Sequence, residues 1–209
     1  VPRRWFADDH ICIVAAPGPS LTPEVAECCA GFDVIAVQDA YRLMPWAPIL
    51  YGCDVKWWKW HRGAWDFAGE KWSTDGPGYH NDKWPLVDLY GLRLATGKTG
   101  NAFSTDPEYV VNGTNSGFQA IGLAILFGAR RVVLVGFDMR ERDGKTHFFG
   151  DHPAPLKGRR GYDAFISNFN AAAKKLPPGV SIVNATPGSA LKCFPMVDLQ
   201  EALGHAVAA

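Results

Sequence analysis

The segment Thr146-His147-Phe148-Phe149-Gly150-Asp151-His152-Pro153 sets two histidines around an acid. Histidine titrates closest to neutral pH, so this spacing suits removal of a proton from a substrate hydroxyl, with His152 or His147 as base and Asp151 orienting it. Loop histidines at i and i+5 fit no standard zinc spacing, and no Asp-x-Asp occurs, so no metal ligand is assigned. The competing reading is structural, with the histidines ordering a turn.

Two glycine turns offer a different chemistry. Ala16-Pro17-Gly18-Pro19-Ser20 follows an apolar run and precedes a helical one, and Asn115-Ser116-Gly117 opens another helix. A glycine there lets backbone approach a ligand, while the helix start presents unpaired N–H groups and the positive end of its dipole to phosphate. Taken singly, each turn reads equally well as a plain connection or an N-cap. As a pair they point to one nucleotide held by Gly18, Pro19, Ser20, Asn115, Ser116 and Gly117. Neither is a Gly-x-Gly-x-x-Gly fingerprint or a Walker loop, which excludes standard dinucleotide binding and P-loop hydrolysis.

These turns need a frame that brings them together. Apolar runs at 11–16, 32–37, 47–51, 131–136 and 180–184 alternate with helical periodicity at 20–30, 115–127 and 162–176. The pattern predicts an α/β fold, a Rossmann-like, mainly parallel sheet flanked by helices, as a single domain over 1–209. Its strands are expected at 11–16, 33–37, 49–51, 131–136 and 180–184. Ligands of such sheets bind outside the carboxyl ends of the strands, where Gln38, Asp54, Asp138 and Arg140 stand just past apolar runs. Ser20 reads as the N-cap of the first helix, with Pro23 and Glu24 in its first turn. Residues 57–112 read as an irregular Trp-rich insertion with one or two short strands around 86–90, and polar residues 139–161 as a lid.

Composition narrows the partners. Lys and Arg (21) balance Asp and Glu (21), which excludes a wholesale basic coat for nucleic acid but allows a local patch. Trp57, Trp58, Trp60, Trp65 and Trp72 crowd beside Lys56, Lys59, His61 and Arg62, as a core edge or as a stacking surface. Lys56, Lys59 and Arg62 could contact DNA phosphates while a neighbouring Trp stacks on a base. The five cysteines show no metal-site spacing and read as reduced packing residues. No apolar run approaches the 18 or so residues of a membrane span, and a cytoplasmic setting without membrane contact is expected.

Ile13-Val14-Ala15-Ala16-Pro17-Gly18-Pro19-Ser20-Leu21, Asn115-Ser116-Gly117 through Gly128, and Val132 to Asp138 together resemble the matching blocks of the family 42 sialyltransferases. They also resemble a wider Rossmann-like group that includes motility-associated glycosyltransferases and the archaeal 6-hydroxymethylpterin diphosphokinase. With Tyr51-Gly52-Cys53-Asp54, His147 to Pro153 and Asn184 to Leu191, the chain is most similar to phage and prophage proteins of that group. The resemblance implies a nucleotide-sugar donor as co-substrate, no cofactor, an inverting, metal-independent glycosyl transfer and His152 as base. Arg140 or Arg142 would stabilise the departing phosphate. It further implies the cytoplasm of a phage-infected or prophage-bearing bacterium, and a hydroxymethylated pyrimidine in DNA as acceptor. Pro17 stands where the sialyltransferases have Asn, and Asp151 separates Gly150 from His152. The alternatives are Mg²⁺-dependent pyrophosphoryl transfer to a pterin-like alcohol, with Asp54 and Asp138 as ligands, and a non-catalytic nucleotide-binding phage protein.

Overall fold

Strands covered on both faces read as continuous apolar runs, and Ile11–Ala15 (β1), Asp33–Val37 (β2), Ile49–Tyr51 (β3) and Arg131–Val135 (β7) follow that rule apart from Asp33 and Arg131 at their starts, while Ser181–Asn184 (β8), at the sheet edge, is apolar only at Ile182 and Val183. In the computed structural model, which describes residues 10–75, 86–157 and 161–204, they join Glu70–Asp75 (β4), Leu92–Lys98 (β5) and Tyr109–Val111 (β6). The eight strands lie in the order β6-β5-β4-β3-β2-β1-β7-β8, and every neighbouring pair is parallel. Helices Pro23–Cys28 (α1), Val55–Trp60 (α2), Ser116–Leu126 (α3), Tyr162–Ala173 (α4) and Leu199–Ala202 (α5) accompany the sheet.

Alternation along the strands divides the core. Cys12, Val14, Ile35 and Val37 face α3 and Phe169 of α4, whereas Ile13, Ala15, Val34 and Ala36 face Leu21, Tyr41, Trp57 and Trp58. Each fully buried side chain of the size of Phe118 or Ile121 contributes about 1.5–3 kcal/mol. Gln119, buried in α3, is hydrogen-bonded at both ends of its amide. Its side-chain oxygen accepts from Tyr51 Oη (2.6 Å) and Thr74 Oγ1 (3.4 Å), and its Nε2 donates to the Asn112 carbonyl (2.8 Å). That network ties α3 to β3 and β4 and fixes where the helix begins.

The segment read as an irregular insertion departs from that reading, because it supplies β4, β5 and β6 as one side of the sheet. Residues 86–90 are helical, and the strand follows at β5. Leu86 is buried there, while Leu89 is 67% exposed. Trp84, in the same segment, lies outside the described residues. The chain leaves β1 toward β2 through β6 and returns along α3 to β7 on the opposite side of β1. That reversal of strand order opens a crevice outside the carboxyl ends of β1 and β7.

Candidate functional site

A cavity of ≈ 380 Å³ occupies this crevice, within the range of roughly 300–1,000 Å³ typical of small-molecule sites. Gln38, Asp54, Asn115, Ser116, Gly117, Asp138 and Arg140 border it together with Gly18 and the lid residues His147, Asp151 and His152. Pro19 and Ser20 do not line it.

The first turn serves a different purpose from the one its sequence suggests. Thr22, not Ser20, caps α1, its hydroxyl accepting from Val25 N, because Pro23 takes the first helical position. Ser20 turns inward instead, donating from its N–H (3.1 Å) and Oγ (2.7 Å) to Asp138 Oδ2. Gly18 N–H donates to the Gly136 carbonyl (3.1 Å) and Leu21 N–H to the Gly18 carbonyl (3.0 Å), while Pro17 and Pro19 carry no N–H. The turn therefore has no backbone donor left between residues 17 and 21. A Cβ on Gly18 would overlap the Gly136 carbonyl and the Asp138 carboxylate, so the glycine is needed for the neighbouring loop to pack here.

The second turn keeps its donors. Asn115 caps the eleven-residue α3, its Oδ1 accepting from Phe118 N (3.0 Å). Among the described residues the N–H groups of Ser116 and Gly117 have no protein acceptor, and both residues border the cavity. These are the orphan donors that any helix start leaves, here next to the positive dipole end. A Cβ on Gly117 would press on Phe137 Cε1 at 2.8 Å, so this glycine seats the helix start against the loop after β7. The Ser116 hydroxyl accepts from Cys53 N (3.3 Å), joining α3 to the end of β3.

The lid is folded onto the cavity. Arg142 and Lys145 pair around Asp143 and Gly144, both with positive φ (50° and 73°), the signature of a tight two-residue hairpin. His147 and Gly150 pair next, and Phe148 N–H docks on the Pro17 carbonyl at 3.1 Å. Thr146 Oγ1 stands 2.9 Å from His147 Nδ1 and donates to Asp151 Oδ1 (3.0 Å). The His147 and His152 rings are 4.4 Å apart. Burial, reinforced by the neighbouring His152, pushes His147 down to about 4, so its ring is uncharged at neutral pH. His152 has no hydrogen-bond partner among the described residues, which leaves its ring nitrogens available to a ligand.

Behind the lid, Asp39, which the sequence offers beside Gln38 as the polar residue ending the second apolar run, gathers partners that the sequence does not link to it. Asp39 is 1% exposed and accepts from Trp57 Nε1 (2.7 Å), with His61 Nε2 at 3.5 Å and Arg42 Nη1 at 3.6 Å. Burial lowers His61, although the Asp39 carboxylate opposes it. Nothing in the sequence near Asp39 announces this cluster, because its partners arrive from α2. Cys53, Thr114, Lys157, Tyr162 and Phe165 also border the cavity without having been singled out as site residues. Gln38, Thr114 and Met139 do so with φ of 47°, 60° and 50°, a conformation that costs a non-glycine residue about 1–2 kcal/mol.

Asp54 caps α2, its Oδ1 accepting from Lys56 N (2.8 Å), and Asp138 Oδ1 lies 3.4 Å from Arg142 Nη1. Both strand-end carboxylates thus have protein donors. Trp57 and Trp58 are core, whereas Lys56, Lys59, Trp60, Arg62 and Trp65 are exposed and lie outside the cavity lining. Among the described residues no group of three His, Cys, Asp or Glu converges as for a metal, and no helix is long and apolar enough to cross a membrane.

No family model and no curated protein matches this chain. Among solved structures, the MAf glycosyltransferase from Magnetospirillum magneticum AMB-1 matches 96% of it with a TM-score of 0.65 at 14% identity. The chain spans 35% of that protein. The likeness is one of fold: this chain shares a Rossmann-like, all-parallel α/β architecture with the part of that protein it matches.

Proposed function

We propose that this chain is a glycosyltransferase domain that binds a nucleotide-activated sugar in the cavity and transfers the sugar with inversion, without a metal ion. The observation that carries the reading is that His152, with unengaged ring nitrogens, borders the same cavity as the unpaired Ser116 and Gly117 N–H groups. In the reaction the acceptor hydroxyl oxygen bonds to the anomeric carbon. The bond from that carbon to the donor phosphate breaks, its electron pair leaving with the phosphate, and the hydroxyl proton passes to His152. The α3 N–H groups and Arg140 would take up the charge that develops on the phosphate. Asp54 and Asp138, already held by protein donors, are poorly suited to carry a Mg²⁺ ion instead.

For the acceptor we propose a hydroxymethylated pyrimidine in DNA. Lys56, Lys59 and Trp60 share the outer face of α2, Arg62 and Trp65 follow, and the helix is capped by Asp54 at the cavity rim. Cations interleaved with exposed indoles suit a polyanion with stackable bases. Incubation with a panel of CMP-, UDP- and GDP-sugars, with and without chelator, tests the reading by nucleotide release. Release that survives chelation supports it. Chelator-sensitive formation of AMP from ATP would favour pyrophosphoryl transfer, and retained binding without turnover a non-catalytic protein.

A further inference from the structure

Asp39 begins a line of contacts that ends at the lid histidines. Its carboxylate, deep behind β2, holds the Arg42 guanidinium at 3.6 Å, and that guanidinium also lies over the Phe149 ring, 5.5 Å from the centroid. Phe149 is stacked on His147, with centroids 5.0 Å apart and planes 8° from parallel, and touches the His152 ring at 5.1 Å. Arg42 is half exposed, so solvent was open to it as an alternative. A cation over an aromatic face and beside a buried carboxylate is held from two sides. On the lid's other flank, Phe148 N–H is bonded to Pro17, and Phe148 and Leu156 pack on the core.

We propose that Arg42 is a positioning residue, which with Asp39 behind it clasps Phe149 and so keeps the histidine turn of the lid seated over the cavity. Its effect on turnover rests on the glycosyltransferase reading above, whereas the clasp itself does not. His147 faces His152, Asp151 and Asp39, with Lys157 on Asp151, and with Arg42, His61 and, beyond His61, Asp66 around Asp39. Because burial is the largest influence on His147, unseating the turn hydrates the ring and returns it toward ordinary histidine behaviour.

The test is an NMR titration of His147 with hydrogen exchange at Phe148 N–H, on the full chain without ligand, comparing Arg42→Gln and Phe149→Leu with the parent. In the parent, His147 is expected to titrate at about 4. Both variants should raise that midpoint by about one pH unit or more and speed exchange at Phe148 at least about tenfold. An unchanged midpoint and unchanged exchange in either folded variant overturns the clasp. Should Arg42→Gln fail to fold, Phe149→Leu decides, since it removes the clasped ring and leaves the Asp39 cluster whole. Absence of turnover with every donor would sink the glycosyltransferase reading and leave this result standing.

Discussion

Replacing Gly18 by alanine separates two accounts of the first turn. If the glycine exists to let backbone approach a phosphate, the variant should fold normally and bind nucleotide poorly. The geometry predicts the reverse. The new methyl would overlap the Gly136 carbonyl and the Asp138 carboxylate, and neither can yield. The carbonyl is fixed by the Gly18 N–H, and the carboxylate by Ser20 and Arg142. Gly18 itself lies outside the left-handed region, so backbone strain does not enter. Overpacking of this kind costs about 1–3 kcal/mol, and disturbing the Ser20 hydrogen bonds to a charged acceptor adds about 1.5–3 kcal/mol. The sum, about 2.5–6 kcal/mol, corresponds for a domain of this size to a Tm drop on the order of 10 °C. Gly31→Ala supplies the control, since its φ is +87° with nothing within 4 Å of a new Cβ. It should cost only the conformational penalty of about 1–2 kcal/mol. Calorimetry and urea titration measure both. A Gly18→Ala protein melting within about 3 °C of the parent, yet losing nucleotide affinity, would refute the packing account.

Three further outcomes are expected. His152→Ala should retain donor binding and lose turnover roughly 10²–10⁴-fold, the range for removing a general base, whereas equal loss confined to His147→Ala would move the role to that ring. His147, held uncharged when folded, contributes stability in full above its unfolded value near 6.5, and that contribution drains away as pH falls toward about 4. Because the ring is partly open to solvent, the contribution is on the order of 1–2 kcal/mol, and His147→Asn should flatten urea-derived stability across that interval. The triple variant Lys56→Ala, Lys59→Ala, Arg62→Ala should lower the log–log salt slope of DNA binding by about one per lost phosphate contact, and an unchanged slope would remove the DNA-acceptor proposal.

Legibility in the sequence followed burial. The strands covered on both faces, such as Arg131–Val135, were readable to within a residue because both faces demand apolar side chains. Glu70–Asp75 and Leu92–Lys98 were not, since the first is polar at every position but Trp72, and the second mixes polar residues with Gly97, which weakens any strand signal. Asn115-Ser116-Gly117 could be placed correctly because an N-cap leaves a local signature. Ser20 misled because two capping types stand close together, and Pro23 chose Thr22. The glycine turns were found for a reason that proved incomplete, as chain-distant loops, invisible in any local pattern, occupy the space beside Gly18 and Gly117. The Asp39 cluster was hidden for the same cause.

The reversal of strand order at the crevice also dictates when the site can exist during folding. β1 and β2 are close in the chain, whereas the other edge of β1 is paired only by the distant β7, whose partner residues run from Ile11↔Arg131 to Ala15↔Val135. Until that distant pairing closes, the apolar edge of β1 has open hydrogen-bonding groups, the kind of edge through which partly folded chains associate. The contact between Gly18 and Gly136 and the docking of Phe148 on Pro17 depend on the same closure. The cavity is therefore a late product of a high-contact-order step, and binding ability reports completion of the fold instead of accompanying its beginning.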